Sequence, residues 1–122
     1  MVKKKIIVFF LIFIICGCTD KGMEKDVKIE KINCSEAESL IAEGATLIDV
    51  RSAIEFEEAH LDGAVNIEYG AINSIISGIV SDKNAKIIVY CQSGRRSEIA
   101  ATTLVNMGYT NVYDLGSIEN CM

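Results

Sequence analysis

The order of apolar and polar positions along the chain predicts strands and helices in alternation. Four short apolar runs have the length and composition of strands: 46–50, 64–67, 86–90 and 111–115. Apolar residues at helical spacing, some bounded by capping residues or glycines, predict four helices: about 35–43, 52–58, 71–80 and 97–107. This alternation indicates an α/β domain with a small, mainly parallel sheet and helices on both faces.

The first 17 residues have the pattern of a bacterial lipoprotein signal peptide. Three lysines at 3–5 precede the ten apolar residues 6–15. Ten residues are short for a membrane span, which needs about 20, but suit the apolar region of a signal peptide. The residues Ile15-Cys16-Gly17-Cys18 then resemble a lipobox, which predicts that Cys18 receives acyl chains such as palmitate and becomes the new N-terminus. We therefore expect a lipoprotein on the extracytoplasmic face of a bacterial cell membrane, with an uncleaved N-terminal anchor as the alternative.

The remaining chain is expected to contain a spacer and one domain. Residues 18–31 combine the lipidated cysteine with a charged stretch that has the composition of a linker, and residues 32–122 suffice for one small domain. Loss of residues 1–17 leaves nine basic and seventeen acidic residues, so the net charge becomes −8. An acidic domain argues against nucleic acid and anionic lipid surfaces as partners.

Three cysteines lie beyond the lipobox: Cys34, Cys91 and Cys121. An odd number leaves at least one thiol unpaired within the chain. The sequence has no Cys-x-x-Cys pair and no paired Cys/His spacing, so we expect no metal and no other cofactor. We interpret Cys34 and Cys121 as small structural residues. A disulfide of Cys121 with Cys91 or Cys34 is the alternative.

The strand predicted at 86–90 leads directly into Cys91, which therefore lies at the carboxyl end of a strand, just before a helix. Open α/β sheets place their sites at this edge. The loop that follows is polar, small or basic: Gln92, Ser93, Gly94, Arg95 and Arg96. Its backbone N–H groups and the positive end of the helix dipole can form an anion cradle that favours the thiolate of Cys91. A buried structural thiol is the alternative, but the solvated turn favours a functional cysteine.

Several motifs stand together in an order and spacing that closely resemble a single-domain rhodanese, over about residues 30–120. They are Leu47-Ile48-Asp49-Val50-Arg51, Glu55-Phe56, His60-Leu61-Asp62-Gly63-Ala64-Val65-Asn66-Ile67, Val89-Tyr90-Cys91-Gln92-Ser93-Gly94-Arg95-Arg96-Ser97, Gly108-Tyr109 and Val112-Tyr113-Asp114-Leu115-Gly116. The resemblance implies a rhodanese-like α/β fold and sulfurtransferase activity.

The resemblance also implies a role for each residue of the cysteine loop. Cys91 would attack the outer sulfur of a donor such as thiosulfate and keep it as a persulfide, until cyanide or a thiol accepts it. Arg96, together with Arg95, would hold the anionic donor. The cradle would be the backbone of the loop: Gln92, Ser93, Gly94 and Ser97. The expected partners are a small sulfur donor, a thiol or cyanide acceptor, and a thiol–disulfide reductant for Cys91 outside the cell.

Four neighbouring polar or aromatic residues are given structural roles. Asp49 and Arg51 end the strand beside the expected site, where we interpret them as a supporting local ion pair. His60 is the only histidine and matches a turn residue of the family, so we do not assign it as a base. Tyr90 is interpreted as a strand-packing residue.

Two other functions remain open for this fold. Cys91 to Arg96 form a six-residue loop, the length associated with sulfur transfer, whereas related phosphatases have a longer loop with the arginine one place later. A phosphatase or arsenate reductase is therefore a minor alternative. A low-turnover module that senses sulfur or binds a partner is the other, although the intact cysteine loop favours turnover.

Overall fold

The computed structural model describes residues 27–122, which contain five strands and four α-helices. The strands are β1 (Glu30–Lys31), β2 (Thr46–Asp49), β3 (Val65–Asn66), β4 (Lys86–Cys91) and β5 (Asn111–Ser117). The helices are α1 (Cys34–Ala42), α2 (Ala53–Glu58), α3 (Ile72–Ile79) and α4 (Arg95–Asn106), with short 3-10 helices at Tyr69–Ala71 and Ile118–Cys121. None of the helices within this range is long and apolar enough to cross a membrane. The predicted signal peptide and Cys18 lie outside the described residues.

The five strands form one sheet in the order β1-β5-β4-β2-β3, and every neighbouring pair is parallel. This confirms the predicted α/β class. The central strand β4 is the most apolar, and its residues from Ile87 to Cys91 are fully buried. Central strands of parallel sheets need such continuous apolar runs because helices cover both of their faces.

Alternate residues of β4 pack into two different cores, as the period of two along a strand requires. Ile87, Val89 and Cys91 belong to the larger core, which includes Ile72, Ile76, Ala100 and Leu104 from α3 and α4. Ile88 and Tyr90 face the smaller core, which includes Ala37 of α1 and Ile118. The predicted helical cover on both faces is therefore present.

The observed boundaries differ from the predicted ones at three places. Residues 30–31, assigned to the linker by their charge, form the edge strand β1, and Glu30 pairs with Tyr113. Helix α4 begins at Arg95 rather than near Ser97, because Gly94 takes a φ of 104° and serves as its N-cap. Strand β5 continues to Ser117 through a register shift opposite Val89 and Tyr90. These shifts bring the cysteine loop and the end of β5 together.

Candidate active site

The thiol of Cys91 lies at the carboxyl end of β4, with two backbone N–H groups directed at it. The N–H of Gly94 donates to Sγ at 2.9 Å, and the N–H of Ser97 donates at 3.3 Å. Both donors belong to the loop and first turn of α4, whose N-terminus adds a positive dipole end. This arrangement favours an anionic sulfur at Cys91.

The loop after Cys91 is fixed by hydrogen bonds on both of its sides. The hydroxyl of Ser97 donates to the carbonyl of Gly94 at 3.1 Å. The hydroxyl of Ser117, at the end of β5, donates to the carbonyl of Gln92 at 2.6 Å. Two of the predicted cradle residues, Gly94 and Ser97, thus direct their N–H groups at Sγ, whereas the side chains of Gln92 and Ser93 are exposed.

Arg96, which the resemblance assigns to the donor, is bound to a carboxylate of the same chain. Its guanidinium donates to both carboxylate oxygens of Glu55, from Nη1 at 2.8 Å and from Nη2 at 3.0 Å. The ion pair lowers the pKa of Glu55 to about 2, with Ser52 as the second cause, and raises the pKa of Arg96. The resemblance assigns Arg96 to the donor, and nothing in the sequence shows that Glu55 of α2 reaches its guanidinium.

Arg95 is exposed, and its side chain makes no hydrogen bond or ion pair with any residue from 27 to 122. It is one position closer to Cys91 than Arg96 along the chain and begins α4. Of the two arginines assigned to the donor, Arg95 is therefore the one with a solvent-accessible charge that no carboxylate of the described chain neutralises.

The predicted ion pair between Asp49 and Arg51 is present and buried. Nε and Nη2 of Arg51 donate to the carboxylate of Asp49 at 2.8–3.1 Å. The hydrogen bonds that Arg51 donates to Asp49 raise the pKa of Arg51. Arg51 also donates to the carbonyl of Ala59 at 2.6 Å and to Oε1 of Gln92 at 3.3 Å. The pair therefore ties the end of β2 to the segment after α2 and to the cysteine loop.

Tyr90 and His60 have structural contacts, as predicted. The hydroxyl of Tyr90 accepts a hydrogen bond from the N–H of Leu61 at 3.0 Å, and burial raises its pKa. The ring of His60 stacks on Phe56 with centroids 3.7 Å apart. Its Nδ1 lies 2.7 Å from the carbonyl of Phe56, which fits a donated hydrogen bond. Neither side chain contacts Cys91.

An open cleft of about 320 Å³ lies beside the cysteine loop, and no pattern in the sequence indicates it. Arg51 and Gln92 line it on one side. Its remaining walls are Glu55, Glu58, Ala59, Ile118, Glu119 and Met122. Three of these residues are carboxylates, and the one cation is already paired with Asp49. The cleft is therefore acidic.

Cys34 and Cys121 form a disulfide, with their Cα atoms 5.3 Å apart. This corrects the interpretation of both as small structural residues and selects the Cys34–Cys121 alternative. The extension of β5 and the 3-10 helix at Ile118–Cys121 bring Cys121 to the first turn of α1. Cys91 is the only free cysteine among residues 27–122.

Glu55 is the residue beside the cysteine loop to which the sequence analysis gives no role at the site. It occurs in the capping box of α2, where its carboxylate accepts from the N–H of Ser52 while the hydroxyl of Ser52 accepts from the N–H of Glu55. The sequence does contain one signal for it: an acidic residue six positions after the end of β2. Because β2 and β4 are parallel, the carboxyl end of β2 lies at the same sheet edge as Cys91.

Comparison with known proteins agrees with this fold. A family model described as a rhodanese-like domain matches residues 33–120. The chain is 38% identical to a thiosulfate sulfurtransferase, PspE, of Escherichia coli, over 60% of this chain and 70% of that protein. It is 31% identical to the thiosulfate sulfurtransferase GlpE of Pseudomonas entomophila, over 72% of this chain and 79% of that protein.

A solved structure gives the same result. The structure titled rhodanese with anions, from E. coli, is 36% identical to this chain and superposes with a TM-score of 0.61. The match covers 63% of this chain and 91% of that one.

Proposed function

This chain belongs to the rhodanese-like domain family, and on that premise we propose that it is a sulfurtransferase with Cys91 as the sulfur carrier. The observation that carries the proposal is the pair of N–H groups, from Gly94 and Ser97, that donate to Sγ of Cys91. A thiolate and a persulfide are both anions, and preorganised N–H donors stabilise such charge. The same cradle serves the sulfur before and after it is loaded.

The proposed reaction has two displacement steps. The thiolate of Cys91 attacks the outer sulfur of thiosulfate or a similar donor, a new S–S bond forms, and the donor S–S bond breaks with its electron pair leaving on sulfite. Cyanide or a thiolate then attacks the outer sulfur of the persulfide and leaves with it as thiocyanate or a new persulfide. The electron pair of the broken bond returns to Cys91 as thiolate, so the cycle needs no cofactor.

Mass spectrometry after loading tests this proposal. The full chain, purified in detergent, is treated with reductant, freed of it and incubated with thiosulfate, beside Cys91→Ser. We expect one added sulfur atom on the peptide that contains Cys91, which disappears on addition of cyanide as thiocyanate forms. A reduced, folded protein that gains no sulfur at Cys91 would contradict sulfur transfer from this donor.

The same experiment separates the two alternative functions. Stable loading with no release to cyanide or to a thiol would favour the low-turnover sensing or binding module. The phosphatase or arsenate reductase alternative predicts phosphate release or arsenate reduction without loading. The loop from Cys91 to Arg96 has six residues, the length associated with sulfur transfer, so we favour sulfur transfer.

We also propose that the domain is held by a lipid on Cys18 at the extracytoplasmic face of a bacterial membrane. Two features support this location. One is the lysine-rich, apolar segment that ends in the Cys16-Gly17-Cys18 motif. The other is the Cys34–Cys121 disulfide, because such bonds persist in oxidising compartments and are rare in the cytosol. At that location, a thiol–disulfide reductant is the expected partner that keeps Cys91 reduced.

Labelled palmitate tests the anchor. We expect incorporation into the wild-type chain and into Cys16→Ser, which removes the neighbouring cysteine, but not into Cys18→Ser. The protein should follow the membrane fraction only when labelled. Equal labelling of Cys18→Ser and Cys16→Ser would contradict lipidation at Cys18.

A further inference from the structure

One of the two arginines of the cysteine loop, Arg96, is already bound to a carboxylate of the same chain. The guanidinium of Arg96 meets both oxygens of Glu55 in a bidentate pair, at 2.8 and 3.0 Å. The two side chains are 27% and 32% exposed, so the pair lies at the rim of the site and not deep in the core. A bidentate guanidinium–carboxylate pair fixes geometry as well as charge.

Glu55 is held in place independently of Arg96. The backbone N–H and the hydroxyl of Ser52 each lie 3.0 Å from Oε1 of Glu55 and donate to it. The N–H of Glu55 in turn donates to the hydroxyl of Ser52 at 3.2 Å. The N-terminus of a helix also favours a carboxylate. A donor anion that binds Arg96 therefore has to compete with a carboxylate that Ser52 holds in position.

The other charges around the loop do not replace the one that Glu55 neutralises. Arg51 is paired with Asp49, and the neighbouring cleft carries the carboxylates of Glu58 and Glu119. Arg95 is exposed at the start of α4 and is the one arginine of the loop without a carboxylate partner in residues 27–122. The rim thus offers an anion one uncompensated arginine and several carboxylates.

We infer that Glu55 makes the site select sulfur donors by their charge. By occupying Arg96, Glu55 disfavours dianionic donors such as thiosulfate relative to monoanionic sulfane-sulfur donors. This inference rests on the proposed sulfurtransferase function and names the donor class for it. The physical basis is that each added negative charge on the donor meets the carboxylates of the rim, while the guanidinium that would offset it is already paired.

Two donors of similar size and different charge test the inference. Thiosulfate is a dianion, and methanethiosulfonate is a monoanion in which a methyl group replaces one oxygen. Attack by the Cys91 thiolate forms the same persulfide from both. The donor S–S bond breaks and its electron pair leaves on sulfite in one case and on methanesulfinate in the other. The comparison therefore isolates donor charge.

The variant to measure is Glu55→Gln, and Glu57→Gln is its matched control. Glutamine at position 55 can keep the capping box of α2, since glutamine replaces glutamate in such boxes. Glu57 lies on the same helix, is exposed and makes no ion pair among residues 27–122, so its substitution removes the same charge away from Arg96. The full chain is purified in detergent, and kcat/KM is measured for each donor with cyanide as acceptor.

We expect Glu55→Gln to raise kcat/KM for thiosulfate about tenfold, the value of one freed charge-assisted hydrogen bond, chiefly through a lower KM. The value for methanethiosulfonate should change less than about threefold, and the gain for thiosulfate should shrink at high salt. Glu57→Gln should change the ratio of the kcat/KM values for the two donors by less than about twofold.

Two results would overturn the inference, and they differ in their meaning. In the first, Glu55→Gln leaves the ratio of the two kcat/KM values unchanged or lowers both values equally. Glu55 then only supports the loop, so the inference about donor charge is wrong, while the proposed sulfur transfer stands. If the wild-type Cys91 gains sulfur from neither donor, the proposed function fails, and the inference fails with it.

Discussion

Cys34 and Cys121 are 87 residues apart in the sequence, and their disulfide joins the first turn of α1 to the last 3-10 helix. The bond borders a cavity of about 220 Å³, whose apolar lining includes Leu47, Leu61 and Leu115. It closes almost the whole domain into one covalent loop. The edge of the sheet that holds the cysteine loop is therefore tied to the opposite terminus of the domain.

Reduction of this disulfide should lower the free energy of unfolding by about 2–4 kcal/mol, because a loop of this length restricts the unfolded chain strongly. Urea unfolding with and without reductant measures the difference. Cys34→Ser and Cys121→Ser should show the lower stability under both conditions, and Cys91→Ser should keep the response to reductant. A wild-type protein whose unfolding midpoint is unaffected by reductant would contradict the bond.

Gly94→Ala should impair sulfur loading more than it impairs stability. Gly94 has a φ of 104°, which side chains disfavour by about 1–2 kcal/mol. The nearest atom to an added Cβ is Cα of Gly116 at 4.0 Å, so the cost is backbone strain and not a clash. Relief of that strain would turn the N–H of Gly94 away from Sγ of Cys91, and the rate of persulfide formation should fall at least tenfold.

Gly108→Ala is the matched control for this prediction. Gly108 has a φ of 103°, follows α4 and has open space around the added Cβ. We expect a similar loss of stability by urea unfolding and no change in the loading rate per folded molecule. Equal loading rates in the two variants would show that the Gly94 N–H does not assist Cys91.

Much of the fold follows from local sequence patterns. The apolar run that ends in Cys91 is β4, and Ser52 caps the start of α2, because these signals depend on neighbours within a few residues. Strand β1 was missed, since Glu30 and Lys31 are exposed at the sheet edge and lack the apolar pattern of a central strand. Its pairing depends on β5, which is far away in the sequence.

The charges of the site could not be predicted in the same way. The sequence places Arg95 and Arg96 in the loop, but both look equally available to a donor. Only the folded structure shows that Glu55 of α2 reaches and neutralises Arg96 of α4 and that Arg95 stays exposed. The pair Asp49 and Arg51 was predictable because its members are two residues apart on one strand end.

Arg51→Met should be strongly destabilising. It would leave the carboxylate of Asp49, which is fully buried, without its guanidinium partner. We expect the free energy of unfolding to fall by about 3–5 kcal/mol in urea unfolding, as for other broken buried pairs. Adding Asp49→Asn to this variant removes the unpaired charge, so the double variant should be more stable than Arg51→Met alone. A double variant with the sum of the two single losses would show that the residues act independently.

The ion pair of Glu55 with Arg96 should make stability depend on pH in the acidic range. Hydrogen bonds from Arg96 first, and from Ser52 second, lower the pKa of Glu55 from 4.5 to about 2 in the folded chain. A carboxyl group with a lowered folded pKa stabilises the fold above its unfolded pKa, and this contribution is lost as the pH falls toward the folded value. The wild-type protein should therefore lose this stabilisation between about pH 4.5 and pH 2.

Urea unfolding at a series of pH values tests this prediction. The free energy of unfolding should fall less at acidic pH for Glu55→Gln, which has no group to titrate at this position. For Glu57→Gln it should fall as much as for the wild type. Identical pH profiles for wild type and Glu55→Gln would mean that Arg96 does not hold Glu55 in solution, and would leave its charge free for a dianionic donor.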